Sequence, residues 1–453
     1  MFRITSNKTI YAAVALIALM SAFFYFASNS KNKTNKQVAD ILIINGKVVT
    51  MDQQVHVYNS GWVAVLGDSI VGLGEGKPPK NYIARKIIDA KGKVVMPGLI
   101  NTHSHAAMVL LTGIGENQSL KQWLATMAGY ERYMTPEDVY WGTLLAEIKM
   151  LRSGTTAFND MYLFEKNAGE AVKQAGMRAI LRLTTGRDNG KITFSKDSFE
   201  ANKDNQLLSF SLAPNPLLDY SEDELKQISD YALEKNYIIH IHFDEDAEAR
   251  SDAIAKYKLS PLQLIAQAGL LKNKIVLAHA ADLTDEEIKV LANYPNAGIS
   301  FNPISERRLS SPLTPAEEML KQNLTVGLGT DGEPSSNLNM FDQMKAAAQS
   351  ENLKPEQVLR MATIDAAKVL GMDAKIGSLE AGKQADIILL SMKPSGDIYY
   401  DLVYNTTEGS VTDSIIAGKQ VMENGKLKTL DEKTIVLRAQ NIAAGLKDLE
   451  LTK

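Results

Sequence analysis

Eight short apolar runs rich in β-branched residues recur between Val94 and Asp331: "VVMPGLINT", "TTAFNDM", "RAILRLT", "LLSFSLAP", "YIIHIHF", "KIVLAHA", "AGISFNP" and "LTVGLGTD". Helical stretches separate most of them. Thr135, Pro136 and Asp138 open one as cap, first-turn proline and box acid, and Thr284 with Glu287 opens another. Parallel strands need a crossover connection, usually a helix, so this alternation predicts a parallel sheet. Eight such units over about 270 residues match an α/β fold of the (β/α)8 barrel type, whose C-terminal strand ends share one rim.

On either side the texture changes to short strands and turns. "ILIINGKVV", "GWVAVLGDSIVGLG" and "KIIDAKGKVV" precede the barrel, and "KQADIILLSM" and "SIIAGKQVMENGKL" follow it. Asn45-Gly46 and Asn424-Gly425 read as hairpin turns, because a type I′ turn needs positive φ at both central residues. The two ends therefore predict one composite β-sandwich. Its parts are residues 39–95 and 371–430, with the barrel over 96–370 and a C-terminal helix over 431–453. The polar run "RDNGKITFSKDSFEANKDNQ", after the third barrel strand, is a candidate loop over the site.

Residues 1–38 form a separate unit. From Thr9 to Ser30 there is no charge, with Arg3 and Lys8 before and Lys31, Lys33 and Lys36 after. About 20 apolar residues can span a bilayer as a helix, and a positive start also suits a signal peptide. This N-terminal hydrophobic helix predicts a chain exported or anchored in the inner membrane, with its catalytic part on the periplasmic or extracellular side. Elsewhere the formal charge of −4 in 453 residues gives no bias toward nucleic acid. A small molecule is the expected partner, and homo-oligomerisation stays open. Cysteine is absent, so any transition metal must be held by imidazole and carboxylate.

Five of the six histidines fall at predicted strand ends: His103 and His105 on the first, His240 and His242 on the fifth, His279 on the sixth. The eighth ends at Asp331. Alternate residues of a strand share a face, so His103 and His105 point the same way. His103, His105 and His242 offer three nitrogens and Asp331 an oxygen, which leaves a position for water at one divalent metal. No lysine ends the fourth strand to bridge a second ion. Glu245, three residues beyond His242, faces the substrate, while His240 lies a layer deeper and serves as a hydrogen-bonded neighbour. His56, in the sheet region, reads as exposed.

In series, "MPGLINTHSHAAM", "HIHFDED", "VLAHA", "GLGTDG", "RMATIDAAKVLGM" and "IGSLEAGKQADIILL" resemble the amidohydrolase superfamily. Within it, the chain resembles the branch of triazine hydrolases and guanine, cytosine and methylthioadenosine/S-adenosylhomocysteine deaminases, the last being the nearest pattern. The resemblance implies zinc or iron at His103, His105, His242 and Asp331. It also implies Glu245 as proton shuttle to a ring nitrogen, His279 holding the attacking water and Asp331 taking its proton. The reaction implied is hydrolytic removal of an amino group from an N-heterocycle; the alternatives are hydrolysis of another C–N or C–halogen bond in a cyclic amide or triazine, or a catalytically silent, membrane-tethered binding protein that keeps the fold. Expected substrate contacts are Glu131, Asn215, Arg307 and Ser335. Two stretches depart from the family pattern: Pro214-Asn215 where Pro-His is usual, and "FNPISERRL" where a Cys-Pro-x-Ser-Asn run is usual.

Overall fold

A computed structural model describes residues 36–449 except 196, 197, 199, 202, 203 and 393. The charge-free segment 9–30 lies outside the described residues. Among the described residues, no helix is long and apolar enough to cross a membrane.

The first part of the chain is β1 (Gln37–Val49), β2 (Val57–Leu66), β3 (Ser69–Glu75), β4 (Tyr82–Asp89) and β5 (Lys93–Pro97). The central part adds β6 (Leu99–His105), β7 (Thr155–Asp160), β8 (Arg178–Leu183), β9 (Thr185–Asp188), β10 (Lys191–Phe194), β11 (Leu208–Leu212) and β12 (Ile238–Phe243). It continues through β13 (Ile275–His279), β14 (Ala297–Phe301), β15 (Thr325–Leu328) and the short β16 (Asp331–Gly332). The last strands are β17 (Ile387–Ser391), β18 (Val411–Ile416), β19 (Lys419–Glu423) and β20 (Lys426–Leu427).

The fold is mixed α/β. Its central sheet is curled and parallel, nine strands in the order β15-β14-β13-β12-β11-β8-β7-β6-β16. β15 and β16 are one strand position interrupted at Gly329-Thr330. The first piece pairs with β14 and the second with β6, and Thr330 N–H donates to His103 O at 2.9 Å. The ends of the ladder therefore meet, as in a TIM-barrel-like fold. Gly329 is required at this junction because a Cβ there would lie 2.2 Å from Asn302 Oδ1 and 2.5 Å from Ser300 Oγ.

The two chain ends build a second nine-stranded sheet, β20-β19-β18-β17-β5-β1-β2-β3, with β4 also on β1. It is a single hydrogen-bonded sheet rather than two. β5 joins its halves, pairing parallel with β1 and antiparallel with β17. Ile41, Ile43, Val63 and Val65 from one half meet Ile387, Leu389 and Ile415 from the other in one apolar cluster, which supplies the two-layered burial of a sandwich.

Asn45-Gly46 is not a turn. Both residues lie within β1, where the register against β2 shifts, and Asn45 has φ 61°. Positive φ at Asn serves a bulge as well as a hairpin, and a bulge bends a strand between two sets of neighbours. Gly46 is needed because a Cβ would come 2.6 Å from Val95 Cγ2. Asn424-Gly425 does close a two-residue hairpin between β19 and β20, with φ 48° and 74°. The polar run after β8 contains a hairpin of the same kind, β9 and β10 around Asn189-Gly190. That hairpin leans on the helix Glu222–Lys235: Ile192 N–H donates to Gln227 and Arg187 to Glu224.

β5 ends at Pro97 and β6 starts at Leu99, so the chain passes between sheets at Gly98, two residues beyond the expected boundary. A Cβ on Gly98 would fall 2.0 Å from Thr156 Oγ1. The helix Glu432–Lys447, capped by Asp431, packs against the helix Pro136–Arg152.

Candidate active site

Because all central pairings are parallel, the C-terminal ends of β6, β12, β13 and the β15–β16 strand share one rim. His103 and His105 end β6, His242 and His240 lie on β12, His279 ends β13, and Asp331 opens β16. His103 and His279 are fully buried and Asp331 is 3% exposed.

The imidazoles are tied on one side and bare on the other. His105 Nδ1 donates to Met161 O at 2.7 Å, and His103 Nδ1 pairs with His240 Nε2 at 2.8 Å. His242 Nδ1 faces Asn215 Oδ1 at 2.9 Å and His279 Nδ1 faces Glu306 Oε1 at 3.3 Å. The four Nε2 atoms are thereby turned toward a common centre. His105 Nε2 lies 3.2 Å from both His242 Nε2 and Asp331 Oδ1, and His103 Nε2 is 3.3 Å from Asp331 Oδ1 without hydrogen-bond geometry. Ligand atoms of His103, His242, His279 and Asp331 lie within 4.8 Å of one another. The Nε2 atoms of His103 and His279 are buried with no hydrogen-bond partner. Orphaned ring nitrogens converging on a carboxylate, each ring fixed by a partner at its far nitrogen, are the donor set a divalent cation completes.

Asp331 has φ 60°, and His279 and Ala280 have 71° and 54°. Left-handed backbone at residues other than glycine persists where surroundings over-determine it, and here it aims the side chains at the centre. Ser305 and Ser335 donate to Asp331 Oδ2 at 2.5 and 3.0 Å, leaving Oδ1 for the cluster. Burial disfavours the Asp331 anion, yet the imidazoles of His103 and His105 beside it hold its pKa well below the usual carboxylate range. Burial pushes Glu245 up to about 7, against the pull of His279. Burial lowers His279, but Glu245, Glu306 and Asp331 outweigh it and raise this imidazole to about 9.

Glu245 Oε1 lies 3.7 Å from His279 Nε2. Its loop is stitched to the next one by Ala281 and Asp282 N–H groups, both donating to Asp244 O. Arg250 clamps it from behind, bound to Asp244, Asp282 and Glu287. A cavity of about 390 Å³ opens from His242 and Glu245 between Leu120, Leu124, Leu217 and Leu218.

The expected substrate contacts separate. Asn215 lines this cavity but commits its Oδ1 to His242, and Ser335 is committed to Asp331. Glu131 ends the helix Leu120–Glu131. It stands near Tyr162, whose ring is 6.2 Å from that of His105, and its charge adds to burial in raising the Tyr162 pKa. Arg307 is not brought to the site: it is exposed, and its guanidinium reaches Ala346 O at 3.4 Å. His56 is half-exposed and paired with Asp52 at 2.6 Å. Sequence reasoning missed the roles of Ser305, Glu306 and Arg250, which act through partners distant in the chain.

A family model described as "Amidohydrolase family" matches residues 94–421. The chain belongs to the amidohydrolase family. A 5-methylthioadenosine/S-adenosylhomocysteine deaminase of Acetivibrio thermocellus is 33% identical over 427 residues, covering 89% of this chain and 99% of that one. Among amidohydrolase-like solved structures, an adenosine deaminase from Xanthomonas campestris with bound zinc aligns with TM-score 0.81 and 27% identity, covering 91% of this chain and 99% of its own. Atrazine chlorohydrolase from Arthrobacter aurescens, complexed with zinc, shares the fold at TM-score 0.80 and 20% identity, over 89% and 100% of the two chains.

Proposed function

We propose that this amidohydrolase hydrolytically deaminates an amino-substituted N-heterocycle. Adenine-type nucleosides such as methylthioadenosine and S-adenosylhomocysteine come first, and guanine- or cytosine-like rings second. The observation that carries the reading is Glu245: a carboxyl able to hold a proton near neutral pH, on the wall of a largely apolar cavity, beside a buried cluster of imidazoles and one carboxylate.

His103, His105, His242 and Asp331 would hold one divalent ion, zinc by analogy with the zinc-bound relatives or iron, and His279 faces the same centre. Bound there, the ion supplies Lewis acidity and a hydroxide nucleophile at neutral pH. The chain's own groups move the protons. His279 orients the attacking water, and Asp331, its outer oxygen fixed by two serines, accepts the water's proton. Glu245 donates to the ring nitrogen beside the attacked carbon, relieving the negative charge that builds there. Transfer of a further proton to the amino group lets ammonia leave. Glu131 and the leucine-lined cavity would receive the rest of the substrate.

The test is ammonia release by the metal-loaded protein across adenosine analogues, guanine, cytosine and aminotriazines, with metal per chain counted by elemental analysis. One class turned over at near one metal per chain is expected. Metal binding without ammonia from any of them would move the reaction to another C–N or C–halogen bond.

A further inference from the structure

Glu306 is fully buried, and every group around its carboxylate is a donor or can be one. Oε1 accepts from Asn302 N–H at 3.1 Å and lies 2.8 Å from the Thr314 hydroxyl; Oε2 accepts from Thr314 N–H at 2.9 Å. The remaining neighbour is His279 Nδ1, 3.3 Å from Oε1. A carboxylate has no hydrogen to give, so this contact requires the hydrogen on Nδ1. The other neighbour of this nitrogen is Asn302 Nδ2, at the longer distance of 3.4 Å, one of whose two hydrogens goes to Ser300 O at 3.0 Å. Thr314 also lies 2.7 Å from His279 O, so one residue braces both the carboxylate and the backbone of the histidine.

We propose that Glu306 is a positioning residue for the hydrolysis: it holds a hydrogen on His279 Nδ1 and so turns Nε2 to the reaction centre beside Glu245. The inference rests on the hydrolytic reading above. An amide at position 306 presents either a donor or an acceptor and no longer requires a hydrogen on Nδ1. Glu306 touches no atom of the cavity, so its contribution passes through His279. Orienting a catalytic imidazole is a recognised task of a buried carboxylate.

The experiment uses the full chain loaded with zinc and the best substrate of the ammonia assay. Glu306→Gln is expected to lower kcat by about 100-fold, with KM within about threefold, zinc per chain unchanged and the thermal midpoint preserved. Because Glu306 acts through His279, the double variant E306Q/H279A is expected to be no slower than H279A alone. An additive loss, or a Glu306→Gln enzyme with near-normal kcat, overturns the proposal. Should Glu306→Gln fail to fold, nitrogen-15 NMR of histidine in the wild-type holoprotein decides: a protonated His279 Nδ1 is expected, and a bare Nδ1 refutes the assignment. If no heterocycle releases ammonia, the reaction assignment fails while the NMR measurement still decides Glu306.

Discussion

At the scale of single residues, two carboxyls near the centre of the fold have opposite uses. Glu245 and Asp331 face the same histidines, but Asp331 is locked by serines into the cluster while Glu245 stands on the cavity wall. Glu245→Gln should therefore keep the metal and lose about 10²–10⁴-fold in kcat, the range of general acid–base catalysis. Asp331→Asn should lose both, with metal per chain as the discriminating measurement. Equal metal loss in the two variants would place Glu245 among the ligands. Glu147 gives a different prediction. It is fully buried on the helix Pro136–Arg152 with neither oxygen hydrogen-bonded, and burial, reinforced by Asp160, raises its pKa well above 4.5. The folded protein holds this proton more tightly than the unfolded chain. The stability it contributes is complete below the unfolded pKa and is lost as pH rises through the folded one. Glu147→Gln should flatten that decline above about pH 5, read from unfolding midpoints across a pH series; an unchanged slope would assign the pH dependence to other groups.

Among elements, the parallel sheet and the second sheet are pinned by one buried ion pair. Arg178 on β8 donates from Nε and Nη2 to the two oxygens of Asp386, just before β17, at 2.9 and 3.1 Å, and both side chains are 3% exposed. Ala417 N–H completes the carboxylate at 2.8 Å. Removing one partner strands a buried charge, so Asp386→Ala should cost about 3–5 kcal/mol in chemical denaturation. Replacing both partners with apolar residues should restore most of it. A loss below about 1 kcal/mol would mean the pair is effectively solvated. Arg178 was legible only as the start of a strand, because its partner lies 208 residues away. The same distinction runs through the site. His103, His105 and His242 were readable because strand alternation puts side chains on a known face at a known end. Glu306 was not: it sits on a short helix after β14, where no periodicity says that it reaches back to β13. Asn45 shows the converse, since its positive φ was legible but a bulge and a hairpin share that requirement. The position of Arg307 was not legible, because charge alone does not say which side of a short helix faces the rim.

For the whole molecule, the open question is where this chemistry takes place. The described residues assemble into two nine-stranded sheets joined through Gly98 and the Arg178–Asp386 pair, with the small β9–β10 hairpin beside them, and none of their helices is long and apolar enough to span a membrane. Thr9 to Ser30 contains no charged residue, whereas 23% of the chain as a whole is Asp, Glu, Lys or Arg. A stretch of about 20 residues without charge matches the bilayer's hydrocarbon thickness as a helix. We infer export through this segment, which would give the site extracellular heterocycles as its substrates. β1 begins at Gln37, only a few residues beyond Ser30, so an uncleaved segment would hold the second sheet close to the lipid surface. In a bacterial host, the full chain should fractionate with the inner membrane, or with the periplasm if the segment is cleaved. Protease added to spheroplasts should destroy the activity without lysis. Activity confined to the cytosol and protected from protease would refute export and return the hydrophobic segment to a role within the folded body.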